Sequence, residues 1–299
     1  TMAKLLALIP SGYKLDKVAS VLPMDGTGDF TLTRSTTGTR VNSSGGVEDM
    51  AIDMPRIDHT ATGDCPVLLV EPQSTNIFLN SIFDGAVSGS PGTAPTYWDF
   101  QVSTGSIVVG TSNYSSGNKI TFNISNTRIV YKDSILLDAN TTYFYSAEVN
   151  VTTAIKFREL LYVSPPSGSV QSFYIDGILI AGNSVNVPAG DSVIGIKIVT
   201  SSTATYCTTY FGAGFWGVDI SSNTIVFDMP QFETLGYRSS YIPTTTTTVT
   251  RTAETCTVTP PAGVTSITET IDSVDTVITT IPSTYTIPNG NINKVIMES

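Results

Sequence analysis

Tyr143-Phe-Tyr-Ser-Ala-Glu-Val-Asn-Val151 is the stretch whose reading decides the fold. Tyr143, Tyr145, Ala147, Val149 and Val151 recur at every second position, so an extended chain places them on one face, the pattern of a half-buried strand. Similar runs lie on either side: Ser106 to Gly110, Lys119 to Ile124, Arg128 to Tyr131, Lys156 to Val163, Gln171 to Ile175, Ser192 to Val199, Thr205 to Phe211 and Thr224 to Glu233. Gly, Asn, Asp and Pro punctuate the gaps. Short alternating strands at near-regular spacing predict a sandwich or barrel rather than a βαβ fold, and a jelly roll is the preferred form.

Composition agrees. The 299 residues include 16 prolines and only 13% charged side chains, with Thr, Ser and Gly abundant and β-branched residues at the apolar positions. Long helices are excluded on that basis, and a hydrophobic content of 40% is enough for a packed core. The formal charge is −10, from 25 acidic and 15 basic residues. No basic cluster or stripe supplies the footprint of nucleic-acid binding, so no nucleic-acid partner is expected. The early apolar run Leu5-Leu-Ala-Leu-Ile9 stops at Pro10. That is far below the roughly 20 residues a bilayer span needs. It is also too short for a secretory core, so neither membrane insertion nor a signal peptide is expected.

The chain divides into three parts by sequence. Residues 1–75 predict an irregular arm with short strands, including a tight hairpin over Gly38 to Met50 with Ser43-Ser-Gly-Gly46 as its turn. Residues 76–243 carry the sandwich. Residues 244–299 begin with the extended Thr244 to Thr248 connector, which Pro243 keeps from being helical. They continue as a small meander over Val264 to Ile271, Val274 to Ile281, Thr284 to Ile287 and Ile292 to Met297. So small a sheet is marginal alone and must pack on the sandwich or pair between subunits.

Catalytic signals are sparse. His59 is the only histidine, which excludes a histidine-based triad or a histidine-rich metal site within one chain. No nucleophile elbow, phosphate loop or dinucleotide fingerprint is present. Asp99, Glu148, Glu159 and Asp228 lie near candidate strands and are the carboxylates a glycosidase could use, but 25 acidic residues offer such pairs by chance. Asp25-Gly-Thr-Gly-Asp29 reads as a turn rather than a calcium loop, lacking the further ligands. Cys65, Cys207 and Cys256 are far apart, with no C-x-x-C. They read as small buried hydrophobes, with a disulfide between two of them as the alternative. The expectation is a protein with no enzymatic activity, no cofactor and no metal. Aromatic residues beside polar ones are the remaining functional signal, because sugar faces stack on Trp and Tyr while amides and carboxylates hold the hydroxyls. The candidate ligand-binding set is Tyr97, Trp98, Asp99, Gln101, Tyr114, Tyr210 and Trp216, with core filling as the competing role for both tryptophans.

Two phrases carry a family resemblance: Cys65-Pro-Val-Leu-Leu-Val-Glu-Pro-Gln-Ser-Thr-Asn76 and Ser240-Tyr-Ile-Pro-Thr-Thr-Thr-Thr-Thr-Val-Thr-Arg251. Ahead of them stand Leu8-Ile-Pro-Ser-Gly-Tyr-Lys14, Val21-Leu-Pro, Gly28-Asp-Phe, Thr33-Arg-Ser35, Gly38-Thr-Arg-Val-Asn42 and Pro55-Arg-Ile-Asp58. The ordered series resembles bacteriophage tail-fibre, spike and head-fibre proteins with a carbohydrate-binding-module-like jelly roll. It runs from about Leu5 to Arg251 and weakly again at the C-terminus. In that family an aromatic first strand stands where Tyr97-Trp-Asp-Phe100 lies here, and Ile225 to Glu233 matches the closing strand. Gly212-Ala-Gly-Phe-Trp-Gly217 departs from the pattern. The resemblance implies a virion surface protein, assembled in the host cytoplasm. Its implied partners are capsid or tail proteins and host-surface polysaccharide, its state a homotrimer, and its N-terminal arm the point of attachment. The alternative is a decoration protein that binds no glycan.

Overall fold

The computed structural model describes residues 3–59, 65–90, 92–101, 106–122, 128–131, 134–164, 167–212 and 223–299. The protein is all-β, and the one helical element among the described residues is the single 3-10 turn Phe157–Glu159. It forms two compact units: Thr1–Ser74 together with Thr250–Ser299, and Thr75–Val249.

The second unit matches the expected sandwich within a few residues, but the first joins what the sequence separates. The arm and the C-terminal meander are one body. Their shared element is the strand Gly290–Glu298, which takes Ser266–Ile271 along one edge and, along the other, Lys4–Leu8 and then Val67–Val70. Ala7 stands opposite Ile296, and Leu69 opposite Asn291. A second sheet repeats the arrangement, with Phe30–Thr33 beside Thr255–Val258. The physical reason is core size. Neither half has enough apolar surface to bury alone, but Leu6, Leu8, Phe30, Leu32 and Leu68 from the first meet Ile267, Ile292, Val295 and Met297 from the second in one cluster. The arm contains the short strands expected of it, and they pair into these sheets. Its hairpin pairs Gly38–Val41 with Val47–Met50 across a five-residue connection, not a two-residue turn. Asn42 organises that loop by accepting the amides of Ser44 and Gly46, and only Gly45 within it takes a positive φ.

A buried ionic cluster ties the first unit together. Glu254 Oε1 accepts from Arg34 Nη1 at 2.5 Å and Arg56 Nε at 2.9 Å, while its Oε2 accepts from Arg56 Nη2 at 2.5 Å and the Glu71 amide at 3.1 Å. Glu71 in turn faces Arg56 at 2.7 Å and Arg251 at 3.1 Å. Arg34 spends its other donors on the carbonyls of Thr36, Met50, Ala51 and Met54. Burial alone lowers the Arg56 pKa, but Glu71 and Glu254 outweigh it and raise the value. Four of these five residues, Arg34, Arg56, Glu71 and Arg251, belong to the phrases that carry the resemblance. Those phrases therefore describe a structural clasp.

In the second unit the larger sheet runs Ile107–Thr111, Asn118–Phe122, Ile225–Glu233, Thr142–Val151, Gly190–Val199, Val170–Ile175, Ile178–Ile180. The smaller runs Trp98–Gln101, Arg128–Tyr131, Thr205–Gly212, Ile135–Leu137, with Leu161–Ser164 also paired to Thr205–Gly212. Tyr143, Tyr145, Ala147, Val149 and Val151 all enter the core, as their alternation requires. Phe211 of the smaller sheet meets Tyr145 and Phe227 of the larger at ring separations of 5.1 and 5.5 Å.

A polar clasp closes this unit too. Asn76 accepts the amides of Phe78 and Phe232 and donates to the Ile242 carbonyl, while Gln231 accepts the Ile242 amide at 2.5 Å. Ser81 and Thr244 exchange amide-to-hydroxyl bonds of 2.9 Å, and the Ser81 hydroxyl meets that of Tyr241. Asn76 and Tyr241-Ile-Pro-Thr244 are again residues of the two resemblance phrases.

Candidate functional site

Strand Thr205–Gly212 organises the smaller sheet. Cys207, Thr209 and Phe211 are buried, and period-two geometry sends Tyr206, Thr208 and Tyr210 to the opposite face. Tyr210 is opposite Val130 on one side and Tyr162 on the other, and Val130 is opposite Asp99. One transverse row thus crosses four strands, Asp99, Val130, Tyr210 and Tyr162. The Tyr162 and Tyr210 rings lie 5.8 Å apart and tilted by 48°. Asp99 is exposed at the end of the row. The next row places Gln101 opposite Arg128. Four residues before Tyr210 on the same face, Tyr206 is 64% exposed and stands opposite Leu136, which is also exposed. At about 3.3 Å per residue the two tyrosines of this strand are roughly 13 Å apart. The face offers aromatic surface with the exposed Asp99 carboxylate at the end of the row.

The structure distributes the expected binding residues among three settings. Asp99, Gln101 and Tyr210 come together on these adjoining rows. Trp98 does not join them, because it is fully buried. Its ring contacts Phe78, Phe83, Tyr131 and Phe211, and its Nε1 donates to the Asn80 carbonyl at 3.1 Å. The reason is alternation: a residue next to exposed Asp99 on a strand faces the other side. Tyr97 is half-buried against the same core at a positive φ of 69°. Tyr114 is buried against Tyr241, 5.4 Å away, in a loop fastened to the larger sheet. Trp216 lies outside the described residues. Tyr162 and Tyr206 were missed, although the alternation around Cys207 and Phe211 was enough to place Tyr206 on the same side as Tyr210.

Of the four carboxylates considered for hydrolysis, only Glu148 and Asp228 come together. Asp99 is on the smaller sheet, and Glu159 is buried in the 3-10 turn. Glu148 and Asp228 are cross-strand partners on the larger sheet, beside a bulge where Met229 takes a positive φ. Burial raises both of their pKa values. Arg238 at 3.3 Å pulls Glu148 back down, while bonds from Ser112, Asn113 and Met229 do the same for Asp228. His59 follows the Arg56–Asp58 strand, and its amide donates to the Val41 carbonyl. Asp25 accepts from the Thr27 amide and hydroxyl, a local turn. Among the described residues no group of three or more His, Cys, Asp or Glu side chains is placed to hold a metal. Cys207 and Cys256 are buried, but Cys65 is exposed, contrary to its expected burial, and all three thiols are free. No helix among the described residues is long and apolar enough to cross a membrane. No protein-family model and no curated protein matches the chain.

Proposed function

We propose that this chain is a non-enzymatic bacteriophage virion surface protein, of the fibre, spike or head-fibre kind, whose sandwich binds host-surface glycan. The observation that carries the binding half is the Asp99, Val130, Tyr210, Tyr162 row, with exposed Tyr206 on the same face. The virion half rests on the ordered sequence series, and on that reading the protein is assembled in the host cytoplasm and contacts capsid or tail proteins. The test is binding of purified chain to an array of bacterial surface polysaccharides, repeated with Tyr210→Ala and Tyr206→Ala. Loss of binding with an unchanged circular dichroism spectrum supports the reading. A variant that binds as well as the parent overturns this placement of the site.

A decoration protein that uses its sandwich only as a shape element is the second reading. What favours it is that the resemblance phrases supply buried clasps rather than exposed side chains. Absence of binding to any polysaccharide from a host that adsorbs the particle, with the chain located on the capsid by antibody labelling, would decide for it.

A further inference from the structure

The strand Val274–Ile278 ends the larger sheet of the first unit, and among the described residues nothing pairs with its outer edge. Val274 and Val277 are 66% and 62% exposed. The hairpin behind this strand is regular: Asp272 and Ser273 both take positive φ, as a two-residue turn of matching twist requires, and Ile271 stands opposite Val274. In such a hairpin the closing pair and every second pair after it exchange hydrogen bonds. Val274, Thr276 and Ile278 therefore direct their amides and carbonyls inward to Ser266–Ile271. Asp275 and Val277 direct theirs outward, to an open edge.

We propose that this edge pairs antiparallel with the same edge of a second copy of the chain, centred on Thr276. Overlap of the whole strand allows only that register, and the hydrogen-bond parity fits it. Asp275 and Val277 of one copy meet Val277 and Asp275 of the other as hydrogen-bonded pairs, and the two Thr276 residues form the pair between them. The side chains match as well. Val274 extends past the apolar face of its own sheet and meets Ile278 of the other copy, which is half-buried against the core. The only charge on the strand, Asp275, already accepts the Thr270 hydroxyl and lies opposite a valine rather than another carboxylate. Pairing two identical edges in this way generates a two-fold axis, so this edge makes a dimer in place of the homotrimer that the family resemblance implies.

Charge placement at residue 277 tests the register. Sedimentation of the full chain over a range of concentrations is expected to show a monomer–dimer equilibrium. Val277→Asp puts carboxylates opposite Asp275 of the partner and is expected to weaken the dimer at least tenfold. Val277→Lys puts an ammonium in the same place and is expected to keep or tighten it. In a Cys65→Ser background, Thr276→Cys is expected to form an interchain disulfide, since such a central pair lies about 4.5 Å apart at Cα, within disulfide reach. A monomer at every concentration, a trimer, equal weakening by both charged variants, or failure of Thr276→Cys to cross-link would each overturn the proposal.

Discussion

Arg56 and Glu254 make a two-point ion pair at 2.9 and 2.5 Å although 198 positions separate them, and neither side chain is exposed. Two separated regions of sequence thus meet at one carboxylate, which holds Arg34 as well. Replacing it by an amide leaves buried Arg34 without its carboxylate and Arg56 with Glu71 alone. Glu254→Gln is expected to destabilise the first unit by about 3–5 kcal/mol. Both tryptophans lie between residues 75 and 249, so tryptophan fluorescence follows the sandwich while far-ultraviolet dichroism follows both units. Urea titrations read by both signals should show the shift in dichroism and leave fluorescence nearly unmoved. A loss below about 1 kcal/mol would show that the cluster contributes little net stability.

The two aromatic settings of the sandwich should respond in opposite ways. Trp98→Ala empties a fully enclosed site and removes the bond to Asn80, with an expected cost of about 3–5 kcal/mol. Tyr206→Ala removes an exposed ring and should change stability by no more than about 0.5 kcal/mol. Thermal melts of the two variants separate them. A Trp98→Ala protein that melts with the parent contradicts the packing described.

Thiol chemistry gives an independent check on the packing. Cys65 is exposed, whereas Cys207 and Cys256 are buried with their pKa values pushed up to about 12 by burial. Thiolate is the reactive form, so native protein should take up one equivalent of iodoacetamide quickly and the rest only on unfolding. Mass spectrometry after partial labelling identifies the site. Rapid modification at Cys207 would show the core to be open.

The same two thiols set an alkaline limit. Their folded pKa values lie above the ordinary value near 9, so the folded state holds these protons more tightly than the unfolded chain. Their contribution is fully present below about pH 9 and is lost as pH rises toward 12, with a slope of up to about 1.4 kcal/mol per pH unit for each group. Cys207→Ala should make the decline of sandwich stability over that window shallower than in the parent. Denaturant midpoints taken at half-unit steps measure it, and parallel curves would count against the assignment.

The sandwich was legible because its strands are local patterns: one glance at Tyr143 to Val151 reveals the buried face. The face proposed to bind glycan was legible in part. Asp99, Gln101 and Tyr210, chosen as polar and aromatic residues near strand edges, fall on adjoining rows of one sheet, but Trp98 was included with its neighbour Asp99 although adjacent residues of a strand face opposite ways. The unity of the first unit was not legible, because it depends on Gly290–Glu298 finding Lys4–Leu8, a pairing no local pattern encodes. Glu254 was overlooked for the same reason. A single carboxylate in a polar stretch has no signature until its partners, almost two hundred residues earlier, are brought to it.

The ionic cluster also limits the order in which the two units can form during synthesis. Glu254 is the last of its five charged members to leave the ribosome, 183 positions after Glu71. At 5–20 residues per second the earlier arginines wait roughly ten to forty seconds for their anion. During that interval the whole of Thr75–Val249 emerges and has its own core available. The sandwich then has all its strands while the segment before it, carrying Arg34 and Arg56, still lacks the strands Thr255–Val258, Ser266–Ile271 and Gly290–Glu298. A released chain truncated just short of Glu254 should present a protease-resistant sandwich behind a digestible arm, and restoring the segment Glu254–Ser299 should protect that arm.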